Sequence, residues 1–436
     1  MSSKTSVPSL PVPNEPLKIA LIGAGFRSQR IYQPLWQSLL PWCQVVAVCD
    51  PVAENCEKMA QALGVRGYGN IRNLVNDRPM EAAVIVTPIP SHHSISVYLS
   101  THGIHNHVET TWASMLCQAQ EMIRVAQQQN VITGVAENFF RMPIDRFAQT
   151  VRDSKYLGDI ARIVCYGDHA GFHNNCRWLV FAGCSPQWVQ AIEHAMEHPP
   201  FYETPERYLQ REMFSTRFFQ FSSGLMIQDT EVGHIKGLLG RCPRPGYTEW
   251  HGQRGALVHY SRVDSGWDHH PKTQLRRCSD GMFASAQEAT GNRNGGGIAD
   301  ELTEVDYQTI DGVWSAMVAQ TPTETIEYIS PLQPYIRFKE VNNSDFYGVA
   351  VMDHIIDFVL AVRGLRDREF TAEDALMSEM MELGAKESAL QQGRRIKLPI
   401  TGELETDSII RQEQKEVFGV DPMDVQAMLD LSFPKP

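Results

Sequence analysis

Long apolar runs, paired cysteines and an excess of positive charge are all absent from this sequence of 436 residues. Its apolar stretches are far shorter than the roughly 20 residues that span a bilayer, and its N-terminal segment lacks the apolar core of a secretory signal. The net charge of −12 comes without a block of lysine or arginine, which argues against binding to nucleic acid phosphates. These absences predict a cytoplasmic protein that binds neither membranes nor nucleic acids.

The nine cysteines are odd in number and form no C-x-x-C pair. Such spacing predicts neither a disulfide framework nor a zinc site. The histidines also lack an H-E-x-x-H motif or a comparable ligand spacing, so no metal is predicted.

What the sequence does have is a regular alternation of short β-branched runs and helical segments up to residue 138. Strands separated by helices indicate βαβ units and hence a parallel sheet. The segment RGYGNIRNLVND is predicted to contain no strand. The predicted strands are KIALIG (18–23), QVVAVCD (44–50), AAVIVTP (82–88), HNHVE (105–109) and VITGVAE (131–137).

Beyond residue 138 the pattern becomes that of an antiparallel sheet with helices. A long loop is predicted at 263–300, and Thr371 is the predicted N-cap of a late helix. The predicted strands are 217–229, 247–262, 312–320, 324–329 and 335–340. The predicted organisation is a flexible arm (1–16), a nucleotide-binding domain (17–138), a second α/β domain (139–400) and a C-terminal tail (401–436) that packs on a neighbouring element.

The motif GAGFRS follows the first predicted strand and opens a helix. Gly23 permits the tight turn, and Gly25 lets the backbone approach a pyrophosphate. Ser28 takes the third position of G-x-G-x-x-G, where a small residue allows close packing, and Phe26 and Arg27 lie between. We predict that these residues contact a dinucleotide.

The second predicted strand ends in Asp50, where an acid can accept hydrogen bonds from ribose hydroxyls. This carboxylate would repel a 2′-phosphate, and Pro51 follows it in place of an arginine that would bind one. NAD is therefore favoured over NADP. The alternative is a doubly wound domain whose nucleotide site has decayed.

The motif VTPIPSHH ends the third strong strand, at the edge of the sheet where ligands of doubly wound folds bind. Thr87, Pro88 and His92 are therefore predicted to contact the nicotinamide half of the cofactor. For His92 the alternative is a residue that only caps the following helix.

Together these motifs resemble the glucose–fructose oxidoreductase, inositol dehydrogenase and MocA (Gfo/Idh/MocA) family. The segments KIALIGAGFRS, VVAVCD, AAVIVTPIPSHH, GIHNHVETTWA, VAENFFRMP, FSSGLMIQDTEVGHIKGLLG and AEDALMSEMMELGAKESALQQGRRIKLP carry the resemblance in order from about residue 17 to 400. It implies an α/β fold, in which a Rossmann domain precedes an α/β domain with an open, mainly antiparallel sheet. It also implies NAD(P)-dependent oxidoreductase chemistry on sugars, cyclitols or their derivatives, in homodimers or homotetramers formed through the open sheet.

One departure from the family pattern concerns the reaction itself. The family's Glu-Lys-Pro, whose lysine contacts substrate and helps to move the proton, is replaced by Glu109, Thr110 and Thr111. Glu109 is still predicted to face the cofactor, and the Thr110 hydroxyl to hold a substrate oxygen or a relay water. Threonine cannot supply the lost positive charge, so another group must stabilise a developing alkoxide.

The resemblance places the acid/base residue in QDTEVGH, where His234 has the matching position. Histidine suits this role because its pKa lies near neutral pH. Asp229 is predicted to bind substrate, although its separation from His234 is one residue longer than is usual in the family. Glu231 is an alternative to Asp229.

A second polar cluster lies in YGDHAGFHNNCRW. Tyr166 and Asp168 share a face of the predicted strand and are candidate catalytic residues. His169, His173 and Arg177 follow and are predicted to bind substrate. The alternative is a polar loop on the surface.

The residues after the last predicted Rossmann strand are further candidates. Glu137 and Asn138 resemble family positions beside the nicotinamide, and Asn138 is predicted to contact the cofactor. Arg141 is predicted to help bind the substrate.

Three functions stay open. The first, which the motifs favour, is an NAD-dependent oxidoreductase that acts on a sugar, cyclitol or sugar derivative, with His234 as acid/base. The second is a redox-neutral cleavage or elimination of a glycoside through a transient keto-sugar. The third is a non-catalytic NAD-binding regulatory protein, in which catalytic activity was lost together with the lysine.

Overall fold

The computed structural model describes residues 9–167, 171–204, 207–231, 246–260, 272–279 and 301–431. Within them the chain forms a six-stranded sheet followed by an eleven-stranded sheet. This confirms the predicted α/β class, with a parallel sheet before a mainly antiparallel one. The boundaries of the predicted domains stay predictions.

The six-stranded sheet is parallel throughout, in the order β3-β2-β1-β4-β5-β6. Its strands are β1 (Leu17–Ile22), β2 (Cys43–Cys49), β3 (Arg66–Tyr68), β4 (Ala82–Ile85), β5 (His105–Val108) and β6 (Thr133–Val135). The order reverses between β1 and β4, so the crevice that binds ligands in doubly wound folds lies at the carboxyl ends of these two strands.

Strand β3 corrects the prediction that RGYGNIRNLVND contains no strand. Its backbone pairs in parallel with β2, and Tyr68 is buried in the core. Gly67 packs closely against the helix that contains Cys56, because a Cβ at Gly67 would lie 2.9 Å from Cys56 Sγ. Strand β3 lies at the edge of the sheet, and its first two residues are exposed. It therefore lacks the apolar run by which the other strands were predicted.

Helices cover both faces of this sheet and bury its apolar strands. After β1 the chain makes three short helical turns, at Ser28–Tyr32, Gln33–Leu35 and Trp36–Leu39, the first of them with the wide hydrogen-bonding pattern of a π-turn. The longer helices are α1 (Ala53–Leu63), α2 (Ile71–Asp77), α3 (His92–Thr101) and α4 (Leu116–Gln129).

The second sheet has the order β16-β15-β14-β13-β12-β11-β7-β10-β9-β8-β17. Of its described neighbours only β7 and β10 run parallel. Its strands are β7 (Ile160–Tyr166), β8 (Pro186–Thr204), β9 (Arg207–Phe221), β10 (Met226–Glu231), β11 (Tyr247–Gly252), β12 (Gly255–Tyr260), β13 (Lys272–Arg277), β14 (Glu301–Ile310), β15 (Val313–Gln320), β16 (Thr325–Ile329) and β17 (Ile396–Lys397).

Two predictions for this half were wrong. Strand β13 lies inside the predicted loop 263–300, because Thr273, Leu275 and Arg277 alternate inward between polar neighbours. No strand forms at 335–340, where the Arg337 N–H donates to the Ser38 hydroxyl at 2.9 Å and so docks this segment on the nucleotide-binding half.

The helices that follow the first sheet are α5 (Pro143–Ser154), α6 (Gly171–Ala182), α7 (Tyr347–Val362), α8 (Ala372–Leu390), α9 (Glu405–Phe418) and α10 (Val425–Leu429). Of these, α5, α6 and α8 pack against strands of the second sheet, and α7 packs against β5 of the first. Thr371 caps α8 in a reciprocal capping box with Asp374, as predicted. Helix α8 packs on both β8 and α6.

The end of the chain packs on the nucleotide-binding half, as predicted for the tail. The Asp407 carboxylate accepts the Leu116 and Cys117 N–H groups and so caps α4. At the other end of the chain, the Trp42 indole N–H donates to the Pro11 carbonyl, which holds part of the predicted arm against the sheet. Within the described ranges, no helix has the length and apolarity that crossing a membrane requires.

Candidate active site

The glycine-rich loop after β1 is shaped for a close approach of backbone and ligand. Gly23 has φ +91°, and a Cβ there would lie 2.3 Å from the Val86 carbonyl oxygen, so only glycine fits. A Cβ on Gly25 would meet nothing within 4 Å, which leaves open space in front of the loop. Ser28 is fully buried and donates its hydroxyl hydrogen to the Gly23 carbonyl, which explains why a serine serves at the third position.

Asp50, directly after β2, is positioned to hold a ribose. Its carboxylate accepts the Ala24 N–H at 2.6 Å and the Val52 N–H at 2.8 Å. A carboxylate has about four acceptor positions, so lone pairs remain for ribose hydroxyls. Apolar side chains, Phe26, Val52 and Ile89, are exposed around the same edge of the sheet. The residues present therefore fit the adenosine half of NAD.

The loop after β4 contributes differently from the prediction. Thr87 packs against Gly23, and Pro88 is exposed beside it. His92, however, is fully buried, and each of its ring nitrogens lies 2.8 Å from a backbone carbonyl, that of Thr87 or that of Thr111. Its ring ties two loops of the cleft together, a placement that does not fit the predicted cofactor contact.

Glu109, the first residue after β5, is held as an ionised carboxylate. Its Oε1 accepts from Arg27 Nε and from the Tyr32 hydroxyl, each at 2.8 Å. Its Oε2 accepts from the N–H of Thr110 at 3.0 Å, with the Thr110 hydroxyl at 3.3 Å. Although burial opposes ionisation, the Arg27 charge and these hydrogen bonds lower the pKa of Glu109 to about 2. The next peptide bond, Thr110–Thr111, is cis.

Arg27 brings a positive charge to the place where the Glu-Lys-Pro lysine is missing. Its side chain is 39% exposed while its Nε is held by Glu109. Its guanidinium carbon lies 5.7 Å from the centre of the Tyr347 ring. The charge of Arg27 also acts on Glu137 and His173, so the cation belongs to the same cleft as those two residues.

A second carboxyl group, Glu137, lies two residues after β6 and pairs with a histidine of the second half. Its Oε2 is 2.9 Å from His173 Nδ1 and 3.5 Å from Cys176 Sγ. His173 and Cys176 reach it together because residues three apart share one side of α6. Burial raises the pKa of Glu137 well above its usual value and lowers the pKa of His173 to about 3.

Asn138 offers an unused hydrogen-bond donor in the same region. It is 1% exposed, and its Nδ2 lacks a partner among the described residues. A buried donor without a partner is costly unless a ligand completes it, so the site fits the nicotinamide half or a substrate.

Three residues predicted to bind substrate serve the fold instead. Arg141 is buried among carboxylates, with Nη1 2.8 Å from Glu369 and Nη2 3.0 Å from Asp357. Arg177 donates from Nε to Asp145 at 2.8 Å. Charged side chains at these depths are stabilised by such pairs, and their polar atoms do not face a substrate.

Asp229 is the third of these residues. It is fully buried, where it accepts from Asn174 Nδ2 at 3.0 Å and from Trp178 Nε1 at 3.1 Å, and it pairs with Arg217. The predicted substrate contact does not fit this burial. Glu231, the predicted alternative to Asp229, is less buried and lies beside Gly171 at the start of α6.

Tyr166 lies on the wrong face of the sheet for the predicted catalytic role. Its neighbour Cys165 faces α6 and touches Asn174, and successive strand residues point to opposite faces. Tyr166 instead stacks on Tyr247 of β11, with ring centres 5.7 Å apart, on the face away from α6 and His173. Asp168, His169 and His234 lie outside the described residues, so their roles stay predictions.

The sequence reading did not anticipate the partners that Glu109 and Glu137 find. Tyr32 stands five residues after Arg27, which is not a same-face spacing in an ordinary α-helix, and both reach Glu109 where the chain forms the π-turn Ser28–Tyr32. Tyr347, whose ring lies against the Arg27 guanidinium, begins α7 more than 300 residues from Arg27, and Cys176 lies 39 residues from Glu137. Nothing local marks such distant contacts.

Comparison with known proteins agrees with the nucleotide-binding half. A profile described as "Oxidoreductase family, NAD-binding Rossmann fold" (GFO_IDH_MocA) matches residues 17–137. D-apiose dehydrogenase of Rhizobium rhizogenes is 26% identical over 145 residues, which are 33% of this chain and 41% of that protein. The match thus spans less than half the length of this curated relative.

Solved structures share the fold over most of the chain. The WlbA dehydrogenase from Bordetella pertussis, solved with NADH and UDP-GlcNAcA, is 13% identical with a TM-score of 0.60, over 90% of this chain and 100% of its own. An NAD binding oxidoreductase from Klebsiella pneumoniae is 19% identical with a TM-score of 0.62, over 88% of this chain and 100% of its own. At these identities the likeness shows the fold alone.

The matched segment contains the glycine-rich loop, Asp50 and Glu109, set in a sheet whose strand order is that of a dinucleotide-binding domain. NAD is therefore the cofactor that both the profile and the site support. Residues 17–137 are therefore similar to the NAD-binding Rossmann fold of the Gfo/Idh/MocA oxidoreductases.

Proposed function

We propose that this protein is an NAD-dependent oxidoreductase that transfers a hydride between NAD and a hydroxyl-bearing carbon of a sugar, cyclitol or sugar derivative. The observation that carries the proposal is the Arg27–Glu109 ion pair at 2.8 Å, which sets a cation between the glycine-rich loop and the end of β5. Two relatives by sequence or fold are named for sugar-like molecules, D-apiose and UDP-GlcNAcA, and this supports the substrate class.

The chemistry needs a positive charge at this place. NAD supplies the hydride acceptor when bound, and the substrate hydroxyl must lose its proton as the hydride leaves. A cation fixed beside the developing alkoxide stabilises it without reorganising. Thr110 cannot do this, and its polar atoms already bond Glu109. Arg27, whose Nε is anchored by Glu109, is the charged group that the described cleft offers.

The residue that accepts the proton is a separate question. His234 is the histidine that the family resemblance favours, and its role stays a prediction. Assembly into dimers or tetramers through the open face of the second sheet is likewise a prediction. Neither changes the substrate class or the cofactor that we propose.

A redox-neutral reaction through a transient keto-sugar is the second candidate, and one observation favours it. Glu379 of α8 accepts the Trp112 N–H at 2.9 Å, three residues beyond Glu109, and burial raises its pKa to about 8. Burial also raises the pKa of Glu137, so the described cleft has two carboxyl groups whose protonated form is favoured. Elimination from a keto-sugar needs such additional acids.

One assay separates these functions. The purified protein is incubated with NAD⁺ and D-apiose, myo-inositol, levoglucosan, UDP-GlcNAcA or aryl glycosides, while NADH absorbance and aglycone release are followed together. We expect net NADH with at least one polyol or sugar. Aglycone release without net NADH would instead support the redox-neutral reaction. NAD binding without either signal across the panel would contradict both and favour a regulatory protein.

A further inference from the structure

We propose that a pocket at one end of the second sheet binds a small phosphate monoester, with Arg395 and Lys397 holding the phosphate group and apolar side chains around Trp188 packing on the rest of the molecule. This pocket lies apart from the cofactor cleft. The proposal therefore does not depend on the oxidoreductase function proposed above.

The pocket opens beside the first residues of β8 and has a cavity volume of about 510 Å³. One wall is made by residues 185–188, and the other by residues 395 and 397–399, which follow α8. Ser222 completes the lining, and its N–H donates to the Ser185 carbonyl at 2.9 Å. This volume suits a small molecule, because ligand pockets typically measure roughly 300–1,000 Å³.

Strand alternation places both cations of the pocket on one face of the sheet. Ile396 lies between them and faces α8, with its side chain 3.7 Å from the place that a Cβ on Gly384 would take. Successive strand residues point to opposite faces, so Arg395 and Lys397 point away from α8. Lys397 is also the backbone partner of Trp188 across the β8–β17 pair. The indole therefore shares the face of the two cations.

Neither cation is neutralised by a carboxylate within the described ranges. The Arg395 guanidinium lies over the Trp188 ring, 4.2 Å from its centre, and Nε donates to Gln190 Oε1 at 3.4 Å. Its terminal nitrogens keep their N–H groups for a ligand. The described lining residues include no aspartate or glutamate, although the whole chain has a net charge of −12. Two unpaired positive charges side by side attract an anion.

A phosphate monoester matches this pair of charges. Its charge is about −1.5 to −2 at neutral pH, and it has three acceptor oxygens. The planar fork of Arg395 can bind two of these oxygens at once, while the Lys397 ammonium group donates to the third. A carboxylate has one negative charge and would leave one cation unpaired.

The rest of the lining indicates that the phosphate is attached to an organic group. Pro186, Leu398 and Pro399 present apolar surface to the pocket. The Trp188 indole is held in place because its Nε1 donates to Gln220 Oε1 at 2.7 Å. A phosphate ion alone would leave this apolar surface in contact with water, whereas the ring of a sugar or nucleoside can cover it.

The pocket and the cofactor cleft lie at opposite ends of the second sheet. The first residue of β8 pairs with Phe221 at the end of β9, and this end of β9 adjoins Met226 at the start of β10. Glu231 ends β10 and lies beside Gly171, where α6 begins on the side of the cleft. A strand of six residues spans roughly 20 Å. Binding at the pocket can therefore be measured while the cofactor site is occupied.

The test is isothermal titration calorimetry on the full chain with saturating NAD⁺, which keeps nucleotides out of the cofactor site. The probes are glucose 6-phosphate, AMP and inorganic phosphate, with glucose and adenosine as the forms that lack the phosphate. We expect at least one ester to bind roughly tenfold or more tightly than both inorganic phosphate and its own phosphate-free form, because each half of the ligand contributes. Failure of both esters to bind at millimolar concentration would overturn the proposal.

Substitutions then locate the bound ester. We expect Arg395→Gln and Lys397→Gln each to weaken its binding roughly 3- to 10-fold, and the double variant roughly 10- to 100-fold, as expected for hydrogen bonds to a charged group. Arg394→Gln removes an exposed charge beside the pocket that is not in its lining, and it should leave the Kd unchanged.

A further variant separates the two halves of the ligand. Trp188→Ala should weaken binding of the ester more than binding of inorganic phosphate, since it removes apolar surface. The Kd for NAD⁺ shows that each variant is folded. Wild-type affinity for the ester in a double variant that still binds NAD⁺ normally would mean that the ester binds elsewhere, and would overturn the proposal.

Discussion

Glu109 and Glu137 occupy equivalent places in the same sheet and behave in opposite ways. Each follows the end of a parallel strand, β5 or β6, and these strands are neighbours. Both side chains are almost fully buried. Yet the pKa of Glu109 is lowered to about 2, while that of Glu137 is raised well above its usual value.

The difference comes from the partners, because burial pushes both pKa values upward. Arg27 lies against Glu109 and supplies a charge that overcomes the cost of burial. Among the described residues, the imidazole of His173 and the thiol of Cys176 lie against Glu137. Two carboxyl groups whose surroundings separate their pKa values are suited to separate roles in acid/base chemistry. Glu109 holds a cation in place, whereas burial favours the protonated form of Glu137.

The largest expected effect comes from removing the cation that makes the two differ. We expect Arg27→Gln to lower kcat/KM roughly 10²–10³-fold, because it removes the preorganised positive charge that would stabilise the developing alkoxide. Steady-state kinetics with the substrate from the panel give the number. Arg30→Gln, which removes an exposed charge one helical turn away, is the control and should lie within about twofold of wild type.

A second substitution sharpens this prediction. In the Arg27→Gln background, Thr110→Lys returns a cation from the other side of Glu109 and should recover at least about tenfold of the lost activity, which one properly placed charge can supply. The same change at Thr111 is the positional control. No loss of activity in Arg27→Gln would show that the cation has no role in catalysis.

The next effect tests Glu137 through the pH dependence. Because its pKa is raised, Glu137 holds its proton at low pH and releases it as pH rises through that pKa. Only the deprotonated form of Glu137 can accept a proton in the cleft, so we expect kcat for oxidation to rise with pH and kcat for reduction to fall. Glu137→Gln cannot take up the proton, and we expect a roughly 10- to 100-fold lower kcat without that rise.

An unchanged pH profile in Glu137→Gln would contradict the proton-holding role. The profile must be measured on kcat at saturating NAD⁺, so that weaker binding does not imitate the loss. As a control, Glu121→Gln changes the carboxyl group that lies 2.9 Å from His93 between α3 and α4, and it should keep the wild-type profile.

The smallest effect concerns stability. The pKa of Glu109 is about 2 in the folded protein against 4.5 ordinarily, so its ionised form stabilises the fold above pH 4.5, and this contribution is lost as pH falls toward 2. We expect Glu109→Gln to lower the free energy of unfolding by about 2 kcal/mol at neutral pH. Urea unfolding should show the gap from wild type closing as pH falls. A gap independent of pH would mean that the carboxylate charge is not what stabilises.

The nucleotide-binding half was predictable because its signals are local. Gly23, Gly25 and Ser28 stand between a strand and a helix, and Asp50 ends the next strand, so short stretches of sequence fix their positions. The parallel sheet follows from the same alternation. Strand β3 was missed because two of its three residues are exposed, whereas β6, equally short, is buried throughout.

The candidate site was less predictable because a charged residue looks the same in a cleft and in a buried ion pair. Arg141, Arg177 and Asp229 all carried substrate predictions, and each has its partners inside the fold. Those partners are separated from them by tens to hundreds of residues, so no spacing identifies them. Tyr166 was assigned to the right strand, but sequence alone did not say which face the helices cover.

The contacts that distinguish Glu109 from Glu137 are long-range for the same reason. Arg27 meets Glu109 across 82 residues, and His173 meets Glu137 across 36. The missing lysine at Thr110 was visible in the sequence, and the need for another cation followed from chemistry. The choice of Arg27 as that cation depends on the way the glycine-rich loop packs against the end of β5, which the sequence does not show.

Infrared difference spectroscopy tests the contrast between the two carboxyl groups most directly. At neutral pH, the spectrum of wild type minus Glu137→Gln should contain the C=O stretching band of a protonated carboxylic acid. Wild type minus Glu109→Gln should contain carboxylate bands and no such acid band. An acid band assigned to Glu109, or none assigned to Glu137, would contradict the account.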